Sequence, residues 1–540
     1  MKSSALSPLN MPLFRRLWLA ALASNIGSWM HDIGAGWLMT TLSPTPVMVS
    51  LVQTATTLPV FLLALPAGAL ADIVDRRRYL LGVQLWLALV SGLLGVLTLG
   101  GVTTAWILVA MTFAMGLGSA MMMPAWSALV PRLVPRTELA SAITLNSMSV
   151  NVARAIGPAL AGVIVSFAGS GPVFILNAVS YLSVIYVLFR WQGQAERSEL
   201  PRERFFSAIR SGYRFARHAP DLQVALVRGM GFYIFSSASW ALLPLVVRIL
   251  AGGGPQFFGV MVASLGVGAV SGAFALPKLR ETFSRDVLVA AASICYAGMM
   301  VVLATVVWPY VLCLAMAVSG FAWITVLSSL QVTAQLALPD WVRSRGLAIY
   351  VMVFMGSMAF GSLLWGRVAE ETSITAALEI AAAGTVLAVA VTWRWQLSKT
   401  ANVDLSPSMH WPALTLHDSN LDKRGPVLVT VQYEVVADKA DEFLLTIHRL
   451  GKSRRRDGAF AWGIFEHTEK SNDFIETFNV ESWLEHRRQH ERVTDAERVL
   501  QAEIQSFLVP GSRPLVSHYL SPQSFDGRER PRPHSQGEQA

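Results

Sequence analysis

The chain has 540 residues, of which 53% are hydrophobic and only 14% are charged, and its net charge is +8. An ordinary soluble domain carries roughly 25% charged residues, so this composition excludes a purely soluble chain and predicts a membrane protein. The positive charge does not indicate a nucleic-acid partner, because the arginines lie between apolar runs, where the positive-inside rule explains them. The two cysteines, Cys295 and Cys313, lie inside apolar runs and predict neither a disulfide framework nor a metal site.

Long apolar runs occupy most of the chain before residue 397. A hydrocarbon core about 30 Å thick needs about 20 apolar residues in a helix, and twelve runs reach this length. No small-residue cleavage site precedes the first run, so we expect it to be retained as a span. The predicted spans are 16–40, 47–71, 79–100, 104–126, 139–167, 172–190, 222–249, 257–277, 287–307, 309–334, 344–368 and 374–396.

The connections between these spans alternate in charge. The connections "SPTPV", "GGVTT", "AGSGP" and "WPY" contain no arginine or lysine, and Arg248 and Arg367 are the exceptions, each at the end of a span. The positive-inside rule therefore predicts a multi-pass protein of a bacterial-type inner (plasma) membrane with both termini in the cytoplasm. The basic residues of the opposite connections include Arg76, Arg77, Arg78, Arg132, Arg136, Lys278, Arg280, Arg285, Arg343 and Arg345.

The longest inner connection divides the spans into two sets of six. Its segment "RERFFSAIRSGYRFARHAP" has an apolar and an arginine stripe at helical spacing, which predicts an amphipathic helix at the membrane interface. A tether is the favoured interpretation, and a partner-binding surface is the alternative. At a constant offset of 204 residues the two sets match at Pro135 and Pro339, Met148 and Met352, Gly157 and Gly361, and Gly162 and Gly366. Two similar halves suit a carrier that rocks about a central site.

The chain changes character after the last span. Residues 426–521 read as strands and helices in the order β-α-β-β-α-β, which predicts a cytoplasmic ferredoxin-like α+β domain. His486 and His490 are spaced i,i+4 and could share a metal ion, but their neighbours are charged and no third ligand is evident. A solvated helix face is therefore favoured, and we predict no metal and no cofactor. The predicted domains are 1–190, 191–220, 221–397, 398–425, 426–521 and a disordered tail at 522–540.

Asp32 and Arg154 are charged residues that lie well inside predicted spans. Asp32 belongs to the first span and Arg154 to the fifth. A charge at mid-membrane costs roughly 2.5–3.5 kcal/mol on insertion scales, so such residues usually face a cavity or form pairs. Asp32 could carry a proton, and Arg154 could bind an anionic substrate or hold Asp32 ionised. The alternatives are a fixed structural ion pair or an Asp32 close enough to the outer surface to be hydrated.

The first inner connection carries a motif. Gly68, Asp72, Arg76 and Arg77 match the signature Gly-x-x-x-Asp-Arg-x-Gly-Arg-Arg, although Ile73 and Asp75 depart from it. On these residues and the two sets of six spans, residues 10–397 resemble the major facilitator superfamily. The Asp-Arg-Arg variant resembles the branch of transmembrane secretion effectors that includes the enterobactin exporter. This resemblance implies an all-α membrane domain of twelve transmembrane helices in two six-helix halves.

The resemblance also implies a role for the motif. In such permeases this connection acts as a latch, which holds the two halves together in one of the two conformations, inward-facing or outward-facing, and releases them in the other. A latch of a few kcal/mol is enough to shift the equilibrium between these conformations. Gly68 permits close helix approach, Asp72 attracts a helix N-terminus, and the arginines pair with carboxylates or lipid phosphates. The alternative is that the arginines only set the topology.

The fifth span contains "RAIGPALAG", in which Gly157, Pro158 and Gly162 resemble the motif of drug:proton antiporters, with Ala161 in place of one glycine. Proline removes a helix hydrogen bond, so the motif predicts a bend or, equally, close helix packing. The fourth span, "AMTFAMGLGSAMMMPAW", lacks the arginine that serves proton coupling in the resembled antiporters.

The C-terminal domain resembles the dimeric α+β barrels of antibiotic-biosynthesis monooxygenases, on its element order and on "SWLEHRRQHERVT". That resemblance implies dimerisation and a fold that can oxygenate without metal or flavin.

The spans and the superfamily resemblance together lead us to expect a proton-driven exporter of a small amphipathic drug, siderophore or secondary metabolite, in contact with the lipid bilayer. The alternatives are a fused transporter–enzyme that modifies its cargo and a non-transporting membrane sensor.

Overall fold

The computed structural model describes residues 6–73, 75–129, 133–191, 205–339, 341–397, 408 and 424–521. These residues form two compact units. The first, called the helical unit, comprises Met1–Tyr213, Pro220–Leu338 and Val342–Asn402. The second, called the sheet unit, comprises Arg214–Ala219, Pro339–Trp341 and Val403–Ala540. Most of the predicted linker at 398–425 and the predicted tail at 522–540 lie outside the described residues.

Long helices follow the predicted spans closely, and each boundary falls within about five residues of its prediction. The predicted amphipathic segment is also helical, although the side chains at its N-terminal end are not described. The helices are α1 (Pro12–Leu42), α2 (Pro46–Ile73), α3 (Arg76–Leu99), α4 (Ala105–Leu129), α5 (Leu139–Ala168), α6 (Gly171–Arg190), α7 (Phe205–His218), α8 (Pro220–Leu245, extended by a π-turn at Val246–Leu250), α9 (Pro255–Thr282), α10 (Arg285–Thr305), α11 (Pro309–Leu336), α12 (Arg343–Glu371) and α13 (Ile374–Thr392).

Eleven of these helices, within the described residues, are long and apolar enough to cross a membrane. The helix α1 has 31 residues but is not among the eleven. It carries Asn25, His31 and Asp32 within its length, and these polar groups lower its hydropathy. The structure therefore supports a helical membrane protein with eleven candidate spans, and a twelfth span through α1 stays a prediction.

Local sequence signals explain where the helices begin. Proline occupies the first turn of α1, α6, α9 and α11, where its fixed φ suits a helix and no N–H is lost. The Asp75 carboxylate accepts a hydrogen bond of 2.9 Å from the backbone N–H of Arg78 and so caps α3. Ser284 and Ser373 cap α10 and α13 in the same way. The break between α10 and α11 confirms the predicted division at Trp308-Pro309.

Glycines bring equivalent helices of the two halves into contact. Gly157 of α5 faces α1, where a Cβ would stand 3.0 Å from the carbonyl oxygen of Ile26. Gly361 of α12 faces α8, where a Cβ would stand 2.5 Å from the carbonyl oxygen of Ile234. The helices α1 and α8 each open a set of six, so the two glycines make the same contact in each half. Their match at a constant offset in the sequence therefore has a structural basis.

A second glycine pair joins the two halves to each other. A Cβ on Gly162 of α5 would stand 2.7 Å from the carbonyl oxygen of Pro255 in α9. Its counterpart Gly366 in α12 faces Pro46 and Ser50 of α2. Both contacts lie at the end of the helical unit that carries the connections at 43–45, 169–170 and 251–254, here called the arginine-poor end. Only glycine allows the backbones to approach this closely.

Side-chain contacts also join the two halves at the arginine-poor end. The Arg248 guanidinium donates a 3.0 Å hydrogen bond to the hydroxyl of Thr40, and the Gln256 amide donates a 2.7 Å hydrogen bond to the hydroxyl of Ser166. The Trp37 ring stacks on the Phe258 ring, with centroids 6.1 Å apart. Each of these contacts joins the first set of six helices to the second. The two halves are therefore packed together at the arginine-poor end.

The sheet unit contains one four-stranded antiparallel sheet. Its strands are β1 (Val427–Glu434), β2 (Phe460–Glu466), β3 (Asp473–Val480) and β4 (Leu515–Leu520), in the spatial order β2-β3-β1-β4. The helix α14 (Ala440–Arg456) links β1 to β2, and α15 (Trp483–Arg492) and α16 (Asp495–Gln505) lie between β3 and β4. The predicted alternation of β1 is confirmed, since the side chains of Val427, Val429, Val431 and Tyr433 are buried.

One predicted helix of the sheet unit is two helices. Val493 leaves the helical conformation, with φ −57° and ψ 128°, and α16 begins after Thr494. The Thr494 hydroxyl donates a hydrogen bond of 3.3 Å to the Glu497 carboxylate. The β-branched residues Val493 and Thr494, followed by acidic residues, are a helix-start signal. The polar pattern of the sequence continues through them and therefore predicts one helix.

Replacement of Gly162 by alanine tests the close packing at the arginine-poor end. The added methyl group meets backbone atoms of α9, so G162A should lower the stability of the protein by about 1–3 kcal/mol, the usual cost of overpacking. The control is G298A in α10, because a Cβ there would meet nothing within 4 Å. The measurement is the unfolding midpoint in detergent, followed by circular dichroism. Equal midpoints for G162A and G298A would contradict the packing described here.

Candidate functional site

A cavity of about 380 Å³ lies inside the helical unit, between the two halves. Its wall includes residues of α1, α2, α4 and α5 from the first half and of α8, α9, α11 and α12 from the second. Because both halves contribute, any movement of one half against the other changes the shape of this cavity. It is therefore the candidate substrate site of the helical unit.

The structure brings the two predicted intramembrane charges, Asp32 and Arg154, to the wall of this cavity. Asp32 is exposed to the cavity, and Arg154 is half-buried. Within the described residues no ion pair includes either of them. A fixed Asp32–Arg154 pair, one of the alternatives raised by the sequence, is therefore not what the structure contains.

The Arg154 guanidinium lies against an aromatic ring rather than a carboxylate. Its Cζ is 5.4 Å from the centroid of the Trp29 ring, within the range of a cation–π contact. The Nε and Nη1 atoms of Arg154 are buried and have no hydrogen-bond partner. Buried N–H donors without acceptors are costly, so the Arg154 guanidinium is held at the cavity wall without its full set of hydrogen bonds.

At the span-five motif, neighbouring helices pack closely against the backbone of α5 around Arg154. Pro158 has no N–H, so it cannot donate to the carbonyl oxygen of Arg154 four residues earlier. The helix α9 packs against that oxygen at Gly266, where a Cβ would stand 2.8 Å from it. With Gly162 against α9 and Gly157 against α1, this gives close packing on two faces of α5, the second of the two interpretations that the sequence left open. The predicted bend stays a prediction.

The second half supplies an aromatic wall. Trp240, Trp323 and Phe354 line the cavity, and the Trp323 ring lies 5.5 Å from that of Trp240 and 6.2 Å from that of Phe354. Met355 and Met358 add flexible apolar surface. Two charges of the second half do not line the cavity: Arg228 and Asp286 form a buried ion pair, and the Asp286 carboxylate also accepts from the backbone N–H of Leu397.

Five tryptophans of the helical unit separate into two groups. Trp29, Trp240 and Trp323 line the cavity. Trp37 packs on Phe258, and Trp126 donates a 3.1 Å hydrogen bond to the side-chain oxygen of Asn146. His31, the sequence neighbour of Asp32, is buried against Phe174 and does not line the cavity.

Sequence reasoning missed four uncharged polar side chains of the cavity, namely Gln53, Thr56, Thr57 and Ser119. The hydroxyls of Thr56 and Thr57 donate to backbone carbonyl oxygens one turn earlier in α2, so these residues look like ordinary helix positions. Their spacing within one turn of α2 was the available signal. It becomes informative only once the face that α2 turns to the cavity is known.

The motif of the first inner connection is described only in part. Gly68 and Asp72 belong to α2 and Arg76 begins α3, but their surroundings and side chains lie outside the described residues. Arg77 is described, and its Nε donates a 2.9 Å hydrogen bond to the carbonyl oxygen of Leu188 and its Nη2 donates to that of Phe189. These carbonyls belong to the last turn of α6 in the same half, and that of Leu188 also accepts from the backbone N–H of Trp191. Arg77 therefore joins α3 to α6, and a latch between halves stays a prediction.

A buried carboxylate organises the sheet unit. Glu476 accepts hydrogen bonds from the Tyr433 hydroxyl at 3.0 Å, the Trp462 indole N–H at 2.8 Å and the Arg454 Nε at 3.4 Å. Burial and the nearby Glu476 carboxylate raise the pKa of Tyr433 well above its usual value. These polar groups satisfy one another, which is what a structural network in a core requires.

Three histidines of the sheet unit lie together. His486 and His490 of α15 and His518 of β4 place their ring nitrogens within 4.8 Å of one another. Burial first, and then the neighbouring His490 and His518, lower the pKa of His486 to about 3. A solvated face, favoured from the sequence, is not found for His486, because the side chain is fully buried. The sequence did not reveal His518 as a third member, since it comes from a distant strand.

Comparison with known proteins assigns the family. The model of the family described as transmembrane secretion effectors, within the major facilitator superfamily, matches residues 3–525. The chain belongs to the transmembrane secretion effector family. It is therefore a transporter of the major facilitator superfamily, and the match extends through the sheet unit.

Individual relatives of this secretion effector agree with that assignment. The staphyloferrin A transporter of Staphylococcus aureus is 25% identical over 369 residues, covering 67% of this chain and 90% of that protein. The multidrug efflux pump Tap of Mycolicibacterium fortuitum is 25% identical over 394 residues, covering 70% and 92%. A bacterial homologue of the lysosomal transporter Spinster, solved inward-facing and unoccupied, gives a TM-score of 0.55 at 14% identity, covering 72% and 96%. At that identity the likeness concerns the fold alone.

Thiol labelling tests whether the cavity of the secretion effector is hydrated. Ser119 is exposed at the cavity wall, whereas Ser91 is buried in the first half and its hydroxyl donates to the carbonyl oxygen of Phe174. In a background in which Cys295 and Cys313 are replaced by alanine, S119C should react with a small polar maleimide at least roughly tenfold faster than S91C, because a buried site reacts only through local opening. Equal rates would contradict the assignment of the cavity.

Proposed function

We propose that this secretion effector exports small amphipathic molecules across the inner membrane by alternating access, driven by protons that Asp32 carries. The observation that carries the proposal is the cavity between the halves, where Asp32 and Arg154 lie without ion-pair partners opposite an aromatic wall. A cavity with two unpaired charges on one side and tryptophans on the other suits a ligand that has both apolar and charged parts.

Alternating access is supported by where the two halves meet. The contacts of Gly162, Gly366, Arg248 and Trp37 lie at the arginine-poor end, which the positive-inside rule assigns to the outside. With both termini in the cytoplasm, this arrangement corresponds to a carrier closed to the outside. Rocking of the two halves about the cavity would open this end and release the ligand outward.

Proton coupling is supported by the position of Asp32. It lies about 15 Å along α1 from the helix end at Leu42, deep within the span. A carboxylate there is costly when charged unless a cation or water accompanies it, so ligand binding at Arg154 and proton binding at Asp32 influence each other. The fourth helix lacks the arginine of the resembled antiporters, and Arg154 of α5 takes its place in this proposal.

The substrate class is supported by size and by the relatives. A volume of about 380 Å³ lies within the range of roughly 300–1,000 Å³ typical of small-molecule sites. The names of the relatives indicate that one transports a siderophore and another expels several drugs. A siderophore, drug or secondary metabolite with an anionic or carbonyl group is therefore the proposed cargo, and that group contacts Arg154.

The sheet unit is proposed to have a regulatory or dimerising role in the cytoplasm. Its strand order, read as β4-β1-β3-β2 with all neighbours antiparallel, supports the ferredoxin-like assignment. Exposed apolar side chains on the edge strands β2 and β4 favour pairing with a second copy, as the resemblance to dimeric α+β barrels implies: Phe460, Phe465, Leu515, Val516 and Tyr519. The satisfied network around Glu476 gives no support to the fused-enzyme alternative.

Replacement of Asp32 by asparagine tests the coupling. The purified protein is reconstituted in proteoliposomes and screened with ethidium, a macrolide and a siderophore under an imposed pH gradient. For a transported compound, D32N should reduce gradient-driven uptake by at least about tenfold, within the range of typical coupling energies, but should retain exchange of labelled for unlabelled compound. The reason is that exchange requires no net proton movement.

The matched control is E379Q, which alters a carboxylate of α13 that does not line the cavity. It should leave uptake unchanged. Undiminished gradient-driven uptake in D32N would remove Asp32 as the proton carrier. Absence of flux with every compound in the wild-type protein would favour the sensor alternative.

A further inference from the structure

We propose that His486, His490 and His518 of the sheet unit form a binding site for a divalent transition-metal ion of the zinc class. This site lies outside the helical unit and is independent of the transport mechanism proposed above. Three imidazoles suit Zn²⁺, Cu²⁺, Ni²⁺ and Co²⁺, whereas Mg²⁺ and Ca²⁺ require oxygen ligands.

The local fold brings the three side chains to one place. His486 and His490 are four residues apart on α15, so they lie on the same helix face, one above the other. His518 is paired with Val429 in the sheet, and paired residues of antiparallel strands share a face. The buried side chain of Val429 shows that this is the covered face of the sheet.

Ring contacts confirm the juxtaposition. The His486 ring centroid is 4.9 Å from that of His490 and 4.7 Å from that of His518. Nitrogens that bind one tetrahedral ion at about 2.0–2.1 Å stand about 3.3 Å apart, so nitrogens within 4.8 Å of one another would close by up to about 1.5 Å on binding. Small side-chain rotations are enough for this, because the ligand nitrogens already lie within 4.8 Å of one another.

The surroundings of His486 suit a metal ligand better than a hydrogen-bonded core residue. Its side chain is fully buried, and its Nε2 atom has no hydrogen-bond partner. Its Nδ1 atom lies 3.4 Å from the Gln489 side-chain oxygen, which favours the tautomer that leaves the Nε2 lone pair available. An orphaned buried nitrogen costs free energy, and a metal ion at this position would remove that cost.

The electrostatic setting permits a cation. Arg454 is the nearby positive group, and the Glu476 carboxylate accompanies it at 3.4 Å. His490 and His518 are only half-buried, which leaves a path from solvent and an open fourth position for water.

The test measures metal binding by the full-length protein in detergent, purified with a tag that contains no histidine. Co²⁺ is the spectroscopic probe, because tetrahedral coordination gives visible absorption, and Zn²⁺ is the competitor. We expect one equivalent of Co²⁺ per chain, displaced by Zn²⁺. The variants H490A and H518A should each weaken binding by at least about tenfold, since loss of a ligand exceeds the 10–100-fold effect of outer-shell changes.

The control is H448A, which removes an exposed histidine of the same unit that is not part of the cluster. Circular dichroism of each variant establishes that the fold is retained. The half-buried residues His490 and His518 are replaced so that the site can be tested without altering the fully buried His486. Absence of stoichiometric Co²⁺ binding in the wild-type protein would overturn the proposal. So would unchanged binding in folded H518A and H490A, or an equal loss in H448A.

Discussion

A bilayer does not solvate the charges of Asp32 and Arg154, and this constraint governs the helical unit. The cost of a charge at mid-membrane is met here by a cavity that the two halves enclose, rather than by an ion pair between the two residues. The cavity requires halves that separate along part of their length and meet elsewhere. The glycine contacts of α5 with α9 and of α2 with α12 provide that meeting place. In the second half Arg228 and Asp286 form an ion pair with each other.

Much of the helical unit could be predicted from the sequence, because a helix in lipid must be apolar over a fixed length and the arginine-rich connections mark its ends. The cavity-facing position of Asp32 and Arg154 follows from the same cost. The absence of a pair between them does not follow, since it depends on how α1 and α5 are rotated. The polar side chains of Gln53 and Ser119 were missed because their position at the cavity depends in the same way on how α2 and α4 are rotated. The helix α1 shows the limit of hydropathy alone, because its polar residues Asn25, His31 and Asp32 lower its hydropathy and it is not among the qualifying spans.

In the sheet unit, alternation and turn chemistry predicted the order of strands and helices, and local signals at Val493 and Thr494 explain the one helix that divides in two. The histidine cluster could be only half predicted. Two members share a helix turn and were visible in the spacing, whereas His518 reaches them through strand pairing. The charged sequence around α15 suggested a hydrated face, but packing of the helix on the sheet buries His486. Tertiary contacts, rather than local composition, determine the environment of that residue.

The central claim is that export requires the arginine-poor end to open and close. Ser166 of α5 and Gln256 of α9 face each other there, with a 2.7 Å hydrogen bond between their side chains. The most direct test joins S166C to Q256C with a short bifunctional thiol reagent, in protein without Cys295 and Cys313, and measures transport in proteoliposomes. We predict that cross-linked protein does not transport, that reduction of the link restores transport, and that the single-cysteine variants are unaffected by the reagent. Full transport by cross-linked protein would contradict the account.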